Sequence, residues 1–182
     1  MNVSTIMSFG APSMDREVRD ARALFKQLAF PRDLAEWVST SHLQSLAQQL
    51  AQRSSNSVSP VFSFRASRMV NPWRLLALWL YCTARGVCRP RAVVAFAALD
   101  ARARELCGTT APSLDELQRF REQNRGRTLS RLEELFATAC LHGPTRTPFA
   151  RCVEAYVSGK ARAEAERRLS RDDAPASLPS HG

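Results

Sequence analysis

The chain has 182 residues, enough for one domain with flexible ends, since a domain commonly takes about 100–150 residues. Apolar residues make up 45% and charged residues 24%, which supports a core, and the net charge of +9 favours an anionic partner over an acidic-substrate pocket. The longest apolar run, Leu75 to Cys82, is far short of the roughly 20 residues of a membrane span, and Asp15, Glu17 and Asp20 break any secretory pattern, so a soluble, cytoplasmic protein is expected.

In chain order, residues 1–13 mix small and polar types and are expected to stay flexible. From Met14 to Phe30, Val18, Ala21, Leu24, Phe25 and Leu28 recur at helical spacing, and Pro31 ends the run. A second helix is predicted after Arg32, burying Leu34, Trp37, Val38, Leu43, Leu46 and Leu50 and ending in the serine-rich Ser54–Pro60. Val61–Phe64 alternates apolar and polar side chains, but without a convincing partner strand it reads as a loop.

Asn71 and Pro72 form a cap and first-turn proline for the next helix, which is apolar nearly all round and therefore expected to be central, closing at Gly86. Pro90 opens another helix, with Val93, Val94, Phe96, Ala97 and Leu99 inward and Gly108 at its end. Ser113 and Glu116 have the spacing of a capping box after the turn Thr109–Pro112. A second such pair, Ser130 and Glu133, lies in a helix carrying Leu129, Leu132, Leu135, Phe136 and Leu141. The last helix is expected from Pro148 to about Leu169, with Phe149, Val153, Tyr156 and Val157 on one face, before a disordered tail at 170–182. The expected architecture is all-α: one multi-helix domain over 14–169, with about seven helices.

Almost all the positive charge is arginine, 24 residues against Lys26 and Lys160. Guanidinium forks suit phosphates and guanine edges, although GC-rich codon usage also enriches arginine without removing its charge. Between Arg65 and Arg131 thirteen basic residues face five acidic ones, a local excess of +8. Such clustering suits a surface that neutralises successive phosphates, and equally a solvated helical face.

The residues for catalysis do not converge in the sequence. His42, His142 and His181 are far apart, the seven glycines form no phosphate loop, and the acids form no obvious pair. Cys140, His142 and Cys152 have no Cys-x-x-Cys pair beside them, so the five cysteines read as free thiols in a reducing compartment rather than as metal ligands. A non-enzymatic protein without cofactor, metal or small-molecule substrate is expected.

Three blocks in order, NPWRLLALWLYCTARGVCRPRAVV, a helix ending at Gly108, and APSLDELQRFREQN, carry a family pattern: Pro72, Leu75, Leu76, Tyr81 and Gly86, then Arg89 with Arg91, then Pro112, Ser113, Glu116, Leu117, Phe120 and Arg121. Over roughly 34–143 the chain resembles the N-terminal helical domain of DDE-type bacterial insertion-sequence transposases. Ser113, Glu116 and Pro90 depart from that pattern, which has aspartate, threonine and serine there. The resemblance implies helix-turn-helix-like recognition of transposon ends. The family's catalytic domain, with three carboxylates on a ribonuclease-H-like fold, would follow, but only 39 residues lie beyond Gly143. The expectation is therefore a truncated or repurposed end-recognition domain that binds double-stranded DNA in the nucleoid.

Within that reading, Phe120 belongs to the core rather than to base stacking, because it shares a face with Leu114 and Leu117, with Arg121 near the edge of that face. The DNA-binding candidates are Arg119, Arg121, Arg125 and Arg127, with Arg89 and Arg91 at a helix N-terminus. The alternative is a helical interaction module: a partner or inhibitor of a full-length transposase through mixed oligomers near Trp37 or Trp79, or an effector-like adaptor addressed by its N-terminus.

Overall fold

Ten consecutive residues, Leu75 to Ala84, are buried, and the other described elements are arranged around the helix that contains them. The computed structural model describes residues 29–63, 68–108, 110–142 and 154–170, and these form an all-α architecture. In chain order the helices are α1 (Thr40–Arg53), α2 (Pro72–Ala84), α3 (Pro90–Leu99), α4 (Ala101–Cys107), α5 (Leu114–His142) and α6 (Glu154–Ser170). Helix α2 packs on α1, α4 and α5, and the long α5 packs most extensively on α6. The expected first helix at Met14–Phe30 and the C-terminal tail fall outside the described residues, except that Phe30 stacks on Trp37 and Phe136 at 5.2 and 5.7 Å.

The start of α2 follows from its sequence. Asn71 accepts from the Trp73 N–H, Pro72 occupies the first turn, and Gly86 turns the chain at φ +76°. Burying Leu76, Leu78, Trp79, Leu80 and Tyr81 contributes about 1.5–3 kcal/mol for each large side chain. A Cβ at Gly86 would stand 2.7 Å from the carbonyl oxygen of Arg32, so the glycine lets the 31–32 segment lie against the α2–α3 corner.

Several boundaries differ from the sequence expectations, each for a local reason. The helix expected from Arg32 onward is divided because two caps compete within it. Asp33 accepts from Ala35 N–H and opens a short 3-10 turn, Leu34–Glu36, and Ser39 accepts from His42 N–H to start α1. Val61–Ser63 is a strand, β1, paired antiparallel with β2 at Arg68–Val70. The expected helix from Pro90 to Gly108 is two helices, since Asp100 gives its own N–H to Phe96 O while its carboxylate caps Ala103 N–H. Val93 and Ala97 are buried as expected, but Leu99 stands 83% exposed beside that break.

Arg85, just past the end of α2, joins these caps. Its Nε donates to both Asp33 oxygens at 2.9 Å and its Nη1 donates to Tyr81 Oη at 3.1 Å, with Asp100 at 3.7 Å. Burial works to lower the Arg85 pKa, but its bonds to Asp33 and Tyr81 outweigh this and hold it above its ordinary value. Burial also raises the pKa of the Tyr81 hydroxyl.

Candidate nucleic-acid interface

Helix α5 carries four of the six arginines expected to contact DNA, and its start is the capping box read from the sequence. Glu116 N–H donates to Ser113 Oγ at 3.3 Å, and Ser113 N–H donates to Glu116 Oε2 at 2.8 Å. Leu117, Phe120, Asn124, Thr128, Leu132, Leu135 and Phe136 then form the buried stripe. Phe120 is fully buried, so it belongs to the core as the periodicity required. The second expected box, at Ser130, does not form: Ser130 is exposed in the middle of α5, and Glu133 instead accepts from Ser158 of α6 at 2.9 Å.

Asn124 is the joint between the two helical runs expected from the sequence, which α5 spans as one kinked element. Its backbone leaves helical geometry at φ −119°, ψ 18°, yet the chain resumes the helix beyond it. The buried carboxamide imitates a strand edge: Oδ1 accepts from Ser59 N–H at 2.7 Å, and Nδ2 donates to Ser59 O at 3.2 Å and Phe120 O at 3.1 Å. The kink thus seats α5 against the segment that follows α1.

The six arginines separate into groups. Arg119 pairs with Asp115 one turn earlier, an arrangement that holds the guanidinium along the helix. Arg121 donates from Nη2 to Leu169 O at 3.2 Å, so it joins α5 to the end of α6 rather than lying free for DNA. Beyond the kink Arg125 and Arg127 are exposed. Arg127 borders a polar groove of about 450 Å³ with Ser57, Ser59, Gln123 and Ser130, which has no acidic residue among its described lining. Arg89 and Arg91 are exposed at the start of α3, where Arg89 is the N-cap residue without a side-chain cap bond. Around the expected Thr109–Pro112 turn, α4 packs on α2 and α3, while α5 packs on α2 and most extensively on α6.

Sequence reasoning missed Arg32, Arg167 and Arg168, which share with Arg89 a cleft of about 930 Å³. Arg168 is 3% exposed at its side chain. It bonds Glu164 at 2.6 Å and the carbonyls of Thr83 and Ala84 at 2.7 and 3.2 Å, and it also reaches Pro31 O. The Glu-x-x-Arg-Arg spacing at Glu164 signals the helical pairs but not the reach to α2.

Among the described residues no group of three or more His, Cys, Asp or Glu could hold a metal ion. Cys140 is buried and His142 exposed, its ring 5.3 Å from that of His42. Cys82, Cys88, Cys107 and Cys140 are not joined in disulfides. Burial pushes Cys82 well above its ordinary pKa and Cys107 up to about 11, which makes neither a ready nucleophile. No described helix is long and apolar enough to cross a membrane. The chain matches no protein-family model, and the searches of curated proteins and of solved structures returned no match.

Proposed function

We propose that this protein binds duplex DNA without catalysing a reaction on it, in the role of the transposase N-terminal domain that its motif order resembles. A location at the nucleoid follows from that reading. The observation that carries it is the outward face of α5 at the kink: exposed Gln123, Arg125 and Arg127 beside a serine-lined groove, on a chain of net charge +9. Hydroxyls, carboxamides and guanidinium groups are the side chains that bond phosphate oxygens, and such contacts fix position on a duplex without reading its bases. Asn124 supports this by holding the kink rigid from beneath, so the exposed side chains project from a fixed backbone.

In this reading the contacts lie on the kink face, while Arg119 is paired with Asp115 and Arg121 bonds Leu169 O. Fluorescence anisotropy with a labelled duplex, titrated at several salt concentrations, tests the reading. Each phosphate contact steepens the dependence of log K on log salt by about 0.9. Arg125→Gln with Arg127→Gln should therefore flatten the slope by roughly 2. Absence of binding at low salt, or an unchanged slope in the double variant, would sink the proposal.

A further inference from the structure

The cleft between the 30–32 segment, the α2–α3 corner and the end of α6 has features that DNA binding at the α5 kink does not use. Its volume of about 930 Å³ lies within the range of small-molecule sites, roughly 300–1,000 Å³. Arg32, Arg89, Arg167 and Arg168 contribute cationic walls, and Phe30 and Val87 contribute apolar ones. These residues come from parts of the chain far apart in sequence, brought together by the fold.

Charge accounting separates structural from available arginines. Arg168 and Arg167 both bond Glu164, at 2.6 Å and 2.7 Å, so one carboxylate is shared by two cations. The guanidinium groups of Arg32 and Arg89 have no ion-pair or hydrogen-bond partner among the described residues, and both are exposed. Among the described residues Glu164 is the only acid bonded to these arginines, so the described lining carries a surplus of three positive charges. The start of α3 adds to this field. The first helical hydrogen bond runs from Val93 N–H to Arg89 O and the Arg89 side chain makes no cap bond, so the N–H groups of Arg91 and Ala92 are uncapped among the described residues, and Ala92 lines the cleft.

The apolar side completes the chemistry. Phe30 is half-buried against Trp37 and Phe136, which fixes its ring, and its remaining surface faces the cleft. Gly86 allows Arg32 to approach, since any side chain there would collide with the Arg32 backbone. A ligand matched to these walls has a dianionic group for Arg32, Arg89 and the α3 start, and a flat, moderately apolar body for Phe30 and Val87.

We infer that the cleft is a binding site for a nucleoside 5′-monophosphate group, with the phosphate held by Arg32 and Arg89 and the base lying toward Phe30. The group belongs either to a free nucleotide or to the 5′-phosphate end of a nucleic-acid strand. This does not depend on the duplex contacts proposed for Arg125 and Arg127.

The test uses the full chain and isothermal titration with AMP, adenosine and inorganic phosphate. AMP should bind saturably with Kd below about 1 mM, inorganic phosphate more weakly, and adenosine not measurably. Arg32→Gln with Arg89→Gln should weaken AMP binding about tenfold or more. Both side chains are exposed, so this variant keeps its thermal midpoint. Competition assigns the source: a 5′-phosphorylated trinucleotide that displaces AMP where its 5′-hydroxyl counterpart does not points to a strand end, and failure of both to displace points to the free nucleotide. No saturable AMP binding, equal binding of adenosine, or unchanged AMP affinity in the double variant would overturn the inference. Duplex affinity measured on the same variant separates this site from the α5 face: it is unchanged if the cleft acts alone.

Discussion

Replacing Arg168 should cost more stability than replacing any exposed arginine of this chain, because its side chain joins three separate segments. It bonds Glu164 within α6, Thr83 O and Ala84 O at the end of α2, and Pro31 O, and it lies 4.8 Å over the Phe136 ring. Breaking a buried ion pair costs about 3–5 kcal/mol when the remaining charge is left alone. Here Arg167 still bonds Glu164 at 2.6 and 2.7 Å, so the carboxylate keeps one partner and the lower end applies. Arg168→Met, which keeps an unbranched apolar stem, should therefore cost about 3 kcal/mol. Lysine retains the charge but cannot fork to Glu164 and two carbonyl groups together, so Arg168→Lys should recover less than half of that loss. Urea unfolding followed by circular dichroism measures both. In a cycle with Glu164→Gln, the double variant should be more stable than additivity requires by at least about 1 kcal/mol. A loss below about 1 kcal/mol for Arg168→Met, or strict additivity in the cycle, would refute the assignment of Arg168 as the tie between α6 and α2.

Two further outcomes follow from buried polar and thiol groups. Asn124→Ala removes both bonds to Ser59 and should cost about 1–2.5 kcal/mol, the range being low because Ser59 itself reaches water. Asn124→Asp should be destabilised further at neutral pH and partly recover on acidification, since a carboxylate there would face two carbonyl oxygens; equal urea midpoints for the two variants at pH 7 would contradict this. For Cys107 the folded pKa of about 11 lies above its ordinary value, so the folded chain holds more protons than the unfolded one between about pH 9 and 11, and stability must fall as pH rises through that window. The loss by pH 10 is at most about 1.4 kcal/mol for this thiol, with burial of Cys82 acting in the same direction. Cys107→Ala should flatten the midpoint-against-pH curve above pH 9, and an identical curve would exclude that contribution.

The parts of the fold readable from sequence are those set by neighbours within one helical turn. Asn71–Pro72, Ser113 with Glu116, and Gly86 each act on adjacent backbone groups, and each behaves as its residue type requires. Ser130 with Glu133 has the same spacing and fails, because a cap forms only where the helix begins and the preceding turn of α5 is already helical. Asn124 was invisible for the complementary reason: its helix-breaking conformation is fixed by Ser59, 65 positions away. Pattern also places β1 ambiguously, since a three-residue strand has meaning only once Arg68–Val70 lies beside it. The candidate site is harder still, because burial of Arg168 and exposure of Arg32 follow from packing between distant segments.

Counting charge along the chain joins arginines that the fold puts to different uses. Arg85, Arg121, Arg131 and Arg168 all lie in the middle or end of the chain, and all spend their donors on named groups: Asp33, Leu169 O, Ser54 Oγ and Glu164 respectively. A partner would have to break those bonds to recruit them, which costs more than a phosphate contact returns in water. Arg32, Arg89, Arg91 and Arg127 carry no such obligation among the described residues, and they stand exposed, as does Arg125 on the α5 face. Affinity for an anion should therefore track this smaller group, whatever the net charge of +9 implies on average. The division also explains why Arg119, one of the candidates on its helix, is a poorer choice than Arg127: Asp115 already neutralises it, so a phosphate arriving there meets a compensated charge.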